Sequence, residues 1–170
     1  MARDFGQKTL LLEGDFKRPV LTRYLKTELQ AGLVDLLVNQ PAARSSLVPF
    51  ADIVIPFADD NLAVLPAVRR VRNSSGLLNS QQMRDLLAVL RTQYDYILID
   101  AAPVLPLSDM AIFEEVVDGV VLVVRAEKTP RAAVSDAVQT LAAGKLAGFV
   151  LNDVRQPVLL PYYRYSYEAA

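Results

Sequence analysis

Two short apolar runs, each leading into an acid, constrain this chain more than anything else in it. Thr9-Leu10-Leu11-Leu12 is continuous in apolar character and is followed by Glu13-Gly14-Asp15, and Tyr96-Ile97-Leu98-Ile99 repeats the pattern and ends on Asp100. Strands without polar alternation belong to a parallel sheet buried on both faces. Val120 to Val124 and Gly148-Phe149-Val150-Leu151 read as two further buried strands. Ile53 to Ile55 and Leu62 to Leu65 are shorter candidates bounded by Pro56 and Pro66, which makes six strands.

Helical patterns lie between the strands. Met83, Leu86, Leu87, Leu90 and Tyr94 fall on one face, and Val134, Val138 and Leu141 on another. Thr129 before Pro130 has the order of a cap followed by a first-turn proline. Ser45-Ser46 and Asn73-Ser74-Ser75 read as loops. Alternating strand and helix predicts an α/β fold with a mainly parallel sheet flanked by helices. Ligands of such a fold gather beyond the C-terminal strand ends, where Asp15 and Asp100 stand.

Composition removes several chemistries. The 170 residues contain no cysteine and no histidine, so disulfides, thiolates, imidazole bases and the common zinc ligands are absent together. Catalysis would have to use carboxylates, Lys or Arg, hydroxyls or a bound metal. Eighteen basic and nineteen acidic residues nearly balance, with no block of like charge, so no nucleic-acid partner is expected. The N-terminal residues lack the apolar core of a signal peptide, and Asp118 and Gly119 interrupt the richest apolar run. The expectation is a cytoplasmic chain with one domain over residues 1–160 and a tyrosine-rich tail over 161–170.

A strand-end aspartate such as Asp100, followed by Ala101-Ala102-Pro103, can hold a water on Mg²⁺ or simply cap a loop. Asp15 followed by Phe16-Lys17-Arg18-Pro19 is a less common string. Leu11 to Pro19 resembles the second phosphate-site motif of the bacterial tyrosine kinases, autokinases of capsule and exopolysaccharide export. Gly32-Leu33-Val34-Asp35-Leu36-Leu37 resembles a helix of that family, and Asn61 to Ala67 its next strand. Leu77-Leu78-Asn79-Ser80 with Met83 is similar to the segment leading to the family's long helix. Tyr94 to Val104 resembles its metal-site strand, with Ser108-Asp109 in the expected place after it. Val123-Val124-Arg125 and Gly148 to Asn152 complete the order.

The resemblance implies a P-loop NTPase-like fold, with ATP and Mg²⁺ as cofactors of the intact family design. It implies that Asp15 is the catalytic carboxylate, that Asp15 and Asp100 serve the metal, and that Asn152 and Arg125 serve the nucleotide. Pro161-Tyr162-Tyr163-Arg164-Tyr165-Ser166-Tyr167 holds four of the seven tyrosines. In the family such a cluster is the substrate of autophosphorylation, which makes Tyr162, Tyr163, Tyr165 and Tyr167 the expected acceptors; an aromatic patch that packs on the domain or a partner is the alternative. The implied partners are the cytoplasmic end of a membrane polysaccharide co-polymerase and other copies of the chain.

The family pattern also calls for G-x-x-x-x-G-K-[ST], whose backbone N–H groups, lysine and following helix N-terminus hold the β- and γ-phosphates. This sequence has no such string. Gly6-Gln7-Lys8-Thr9 lacks the spacing and leads into a strand where the loop must lead into a helix. Glu13 stands where an aspartate is usual, Ala101-Ala102-Pro103 where a threonine and two prolines are common, and Val68 to Ser75 carries no proline. The expectation is therefore a fold without the family's first strand, phosphate loop and first helix, unable to bind ATP productively alone. The absent strand would lie beside the Asp100 strand. That strand should then pair directly with the Val120 strand or leave unpaired backbone, with marginal stability or acceptance of a foreign strand as the consequence. A non-catalytic pseudo-kinase module and a relative of the partitioning-type ATPases are the alternative readings.

Overall fold

The computed structural model describes residues 5–38, 53–57, 61–105 and 108–155. They form two compact units, divided between Val116 and Val117. In the first unit the order is β1 (Thr9–Glu13), α1 (Leu21–Leu25), α2 (Leu33–Val38), β2 (Ile55–Phe57), β3 (Leu62–Leu65), α3 (Ser74–Leu78), α4 (Gln81–Leu90), β4 (Tyr96–Asp100) and α5 (Ser108–Val116). The second holds β5 (Val120–Arg125), α6 (Arg131–Thr140) and β6 (Leu146–Asn152). No helix among the described residues is long and apolar enough to cross a membrane.

The first sheet runs β2-β3-β1-β4. β1 is central and parallel to both neighbours, with Leu12 opposite Leu65 on one side and Ile99 on the other. That position explains its unbroken apolar run: Leu10 and Leu12 are fully buried, as is Leu65 on β3. β2 is the antiparallel exception and includes Pro56, so the short strand expected at Ile53 to Ile55 is displaced toward the C-terminus. Proline is tolerated there because, among the described residues, β2 is an edge strand with β3 as its one ladder partner.

β4 is the opposite edge and has β1 as its one ladder partner among the described residues. Leu98 is 48% exposed and Tyr96 43%, so β4 carries apolar side chains in the open. In the second unit β5 and β6 form a parallel pair, with Arg125 opposite Asn152.

The facing of α4 follows the sequence pattern as far as Leu90, where the helix ends; Tyr94, expected on the same face, lies beyond it. Met83, Leu86, Leu87 and Leu90 are the buried residues of α4, and Ser80 caps that helix by accepting from Met83 N. Two expected details are corrected. Asn73-Ser74-Ser75 is not a loop: Asn73 caps α3 by accepting from Gly76 N, and Ser74 and Ser75 are its first turn. Pro130, not Thr129, is the cap residue of α6. The Thr129 hydroxyl accepts from Arg125 N, so the proline still marks the helix start while the threonine serves the turn before it.

Candidate functional site

The exits of β1 and β4 are tied to each other. Gly14 N and Asp15 N both donate to the Asp100 carbonyl, at 2.8 and 3.1 Å. A glycine is required at position 14 by this close approach. An added Cβ would lie 2.7 Å from Phe113 Cζ, 2.8 Å from Ile99 Cγ2 and 3.2 Å from the Asp100 carbonyl. Beyond it the chain turns under the Asp15 side chain, whose Oδ1 accepts from Lys17 N at 3.1 Å and Arg18 N at 3.0 Å. Such a local turn is a common use of aspartate. Asp15 Oδ2 makes no bond to any described residue and remains available to a ligand.

Glu13 lies beneath this loop and is 1% exposed. Its Oε1 accepts from Val20 N and Leu21 N, and its Oε2 from Ala67 N at 2.8 Å. One carboxylate thus joins the start of α1 to the exit of β3. A buried charge is tolerable only with this degree of satisfaction. The acid that departs from the family pattern in the sequence is a framework residue, and the acid two positions on is the accessible one.

Asp100 sits at the C-terminal end of β4 with its pKa raised. Partial burial of the carboxyl is the main cause, followed by the charges of Glu13 and Asp15. Negative charge is therefore concentrated where the two strands end, and a cation would relieve it. Among the described residues no group of three or more His, Cys, Asp or Glu side chains is arranged to hold a metal. That does not disqualify Mg²⁺, which commonly binds one or two carboxylates and completes its octahedron with water and substrate phosphates. Asp15 and Asp100 fit that partial role. The triphosphate is different, because the sequence supplies no glycine-lysine loop for it.

Asp109 was visible in the sequence only as the second half of Ser108-Asp109. In the fold it is 6% exposed and gathers three side chains. Lys17 Nζ donates at 2.8 Å, Ser74 Oγ at 2.9 Å and Ser75 Oγ at 2.7 Å. Burial alone would raise its pKa, but the hydrogen bonds from Lys17, Ser75 and Ser74 together with the Lys17 charge hold it below the usual carboxylate range. The Asp15 loop, α3 and α5 meet at this one carboxylate. The available signal was an acid in the first turn of an apolar helix, which has to find partners if that helix is buried.

Asp35 behaves similarly. It accepts from Gly32 N at 3.0 Å and pairs with Arg69, so it reaches back to the start of α2 as the acid of a capping box does.

In the second unit Arg125 and Asn152 end adjacent strands, and their side chains serve the local turns. Arg125 Nη2 is 2.7 Å from Asp153 Oδ2, which also lies 3.5 Å from Lys128 Nζ. These partners, Arg125 first, hold the Asp153 pKa below its ordinary value. Asn152 Oδ1 accepts from Asp153 N at 2.8 Å. Tyr162, Tyr163, Tyr165, Tyr167 and the Ser45-Ser46 segment lie outside the described residues.

No family model matches the chain. Curated relatives do. The chain is 30% identical over 162 residues to CapB of Staphylococcus aureus, whose name places it among the tyrosine-protein kinases, covering 94% of this chain and 68% of that protein. The tyrosine-protein kinase CpsD of Streptococcus agalactiae is 28% identical over 90% of this chain and 65% of its own length. The succinoglycan biosynthesis transport protein ExoP of Rhizobium meliloti is 29% identical over 86% of this chain but only 18% of its own length.

Among solved structures, the VpsO kinase domain superposes with a TM-score of 0.76 at 32% identity, covering 88% of this chain and 71% of that one. The chimerical protein CapA2B2 gives 0.80 at 28% identity, covering 91% and 66%. The cell division ATPase MinD of Pyrococcus furiosus gives 0.63 at 23% identity over 87% and 60%, a likeness of fold alone.

Proposed function

The chain belongs to the bacterial tyrosine kinases, and from that premise we propose that it is the C-terminal part of a protein-tyrosine autokinase governing capsule or exopolysaccharide polymerisation and export. The observation that carries the reading is the joined exit of β1 and β4. There the accessible Asp15 and the strand-end Asp100 lie at neighbouring strand ends, held by two main-chain bonds to one carbonyl. The chain spans 68% of CapB and 65% of CpsD, so whole-protein activity is carried over as part of this proposal.

In this reading Asp15 accepts the proton of the attacking tyrosine hydroxyl. A carboxylate suits the role when it is close to the hydroxyl and its other oxygen is fixed, as Asp15 Oδ1 is by Lys17 N and Arg18 N. Asp100, with Asp15, supplies the protein's share of the Mg²⁺ shell. Bound Mg²⁺ would neutralise charge on the transferring phosphoryl group. Arg125 and Asn152 serve the nucleotide, and Tyr162, Tyr163, Tyr165 and Tyr167 are the acceptors. The partner is the cytoplasmic end of a membrane polysaccharide co-polymerase, with self-association placing one tail at another copy's Asp15.

The 170-residue sequence holds carboxylates and acceptors but no glycine-lysine loop to cradle the β- and γ-phosphates. Alone it should therefore lack productive ATP binding. Calorimetric titration with ATP and Mg²⁺ tests this: no saturable binding at nucleotide concentrations up to about 1 mM is expected, the range where affinity is about 4 kcal/mol. Micromolar binding would overturn it.

A further inference from the structure

Three arginines are left over when the charges around the Asp15 loop are paired. The loop after β1 and the loop after β3 are stitched together: Val71 N donates to Phe16 O at 2.9 Å, and Arg70 Nε donates to Lys17 O at 2.5 Å. Ala67 N, bonded to the buried Glu13, anchors the base of the second loop. Val68 lies between them with φ +64°, a left-handed conformation that β-branched residues rarely adopt. Such a residue persists only where its surroundings enforce it, and here it turns the chain into Arg69 and Arg70.

Five bases stand on these two loops. Lys17 is paired with Asp109 and Arg69 with Asp35. Arg18, Arg70 and Arg72 are exposed and have no carboxylate partner among the described residues. Arg70 is held through Nε by a main-chain carbonyl, so its terminal nitrogens are oriented and uncommitted. Like charges gathered on exposed loops repel one another unless an anion joins them.

We propose that Arg18, Arg70 and Arg72 form a receiving site for a phosphotyrosyl peptide, namely the 161–170 tail of a second copy once that tail carries phosphate. The proposal rests on reading the tail as the acceptor of phosphoryl transfer. Arg164 and Glu168 are the only charged side chains of that segment and cancel, so the unmodified tail offers the site little. Each phosphotyrosine adds about 1.5 to 2 negative charges and three strong acceptor oxygens, which guanidinium groups bind in paired, planar fashion. The site adjoins Asp15 through Lys17 and Arg18. A tail with one phosphate is thereby kept where its remaining tyrosines can be presented, which favours repeated modification of one tail.

The test is fluorescence anisotropy with the purified 170-residue chain and three labelled peptides covering 161–170: unmodified, phosphorylated on Tyr165, and phosphorylated on Ser166. The Tyr165 phosphopeptide should bind about tenfold tighter than the unmodified peptide, a difference that shrinks with added salt. R72A, which removes a side chain with no carboxylate partner among the described residues, should weaken phosphopeptide binding about threefold or more, and R70A/R72A should erase the preference. Equal affinity for unmodified and Tyr165-phosphorylated peptides overturns the proposal. So does an unchanged preference in R70A/R72A, or binding of phosphatidylglycerol vesicles through these arginines with no binding of the peptide. No ATP is present. Peptide binding therefore survives failure of the kinase reading, and labelling of the tail without peptide binding would leave that reading standing while this one falls.

Discussion

Lys17 Nζ lies 2.8 Å from Asp109 Oδ2, joining the loop that carries Asp15 to the first turn of α5 across 92 positions of sequence. The same carboxylate takes the hydroxyls of Ser74 and Ser75, so its loss releases the loop and strands two donors. Asp109→Asn should destabilise the chain by about 1–3 kcal/mol, the range for a charged hydrogen bond whose buried partners are left over. The sign with pH follows from its lowered pKa. The stabilisation is present above the unfolded carboxylate value of about 3.9 and is lost as pH falls through the lower folded value. Urea midpoints of the native chain and Asp109→Asn should therefore differ most near neutrality and converge in acid. A constant gap down to the acid limit would contradict this.

Asp100 should show the opposite sign. Its carboxyl is raised by burial and by Glu13 and Asp15. Ionising it therefore costs stability, and that cost grows as pH rises through its folded pKa. Asp100→Asn should raise the melting temperature at pH 7 by up to about 2 °C, and the gain should vanish well below pH 4. A lower melting temperature at pH 7 would show that the carboxylate supports the fold rather than straining it.

Glu13 should be intolerant of truncation. Its two oxygens take the main-chain N–H groups of Val20, Leu21 and Ala67 in a site with almost no solvent. Glu13→Ala leaves three buried donors unpaired and should cost about 3 kcal/mol or more. Glu13→Gln keeps one carbonyl acceptor and should cost less. Chemical denaturation gives the order, and equal losses for the two variants would mean that the charge alone matters.

Gly14→Ala tests the joined strand exits. With Cβ forced to 2.7 Å from Phe113 Cζ and 2.8 Å from Ile99 Cγ2, the substitution should cost about 1–3 kcal/mol through overpacking. A neutral effect in thermal melts would show that β1 and β4 can part without loss.

Much of this fold is written locally. The apolar run at Thr9–Leu12 needed only its own composition to be read as a buried strand, and Met83, Leu86, Leu87 and Leu90 needed only helical spacing. The runs at Tyr96–Ile99, Val120–Val124 and Gly148–Leu151 are strands as read, but Leu98, Val121, Val123, Phe149 and Leu151 are exposed, not buried. Asp15 and Asp100 could be placed because a strand end is a local property. The long-range partnerships could not. That Ser74 and Ser75 start a helix depends on Asn73 as a cap and on Asp109 more than thirty residues away, whereas serines beside an asparagine read locally as a turn. Likewise, nothing near Glu13 marks it as the buried acid and Asp15 as the open one. The distinction arises from Val20, Leu21 and Ala67, which the topology brings to Glu13 alone.

If the chain carries an autokinase's carboxylates and acceptor tyrosines without a glycine-lysine phosphate loop, it should not label itself. Incubation of the purified chain with ATP and Mg²⁺, followed by an anti-phosphotyrosine blot, tests this central claim most directly. The predicted result is no labelling above an Asp15→Asn control. Strong labelling of the chain alone, lost in that control, would contradict the claim and assign phosphate binding to residues other than a glycine-lysine loop.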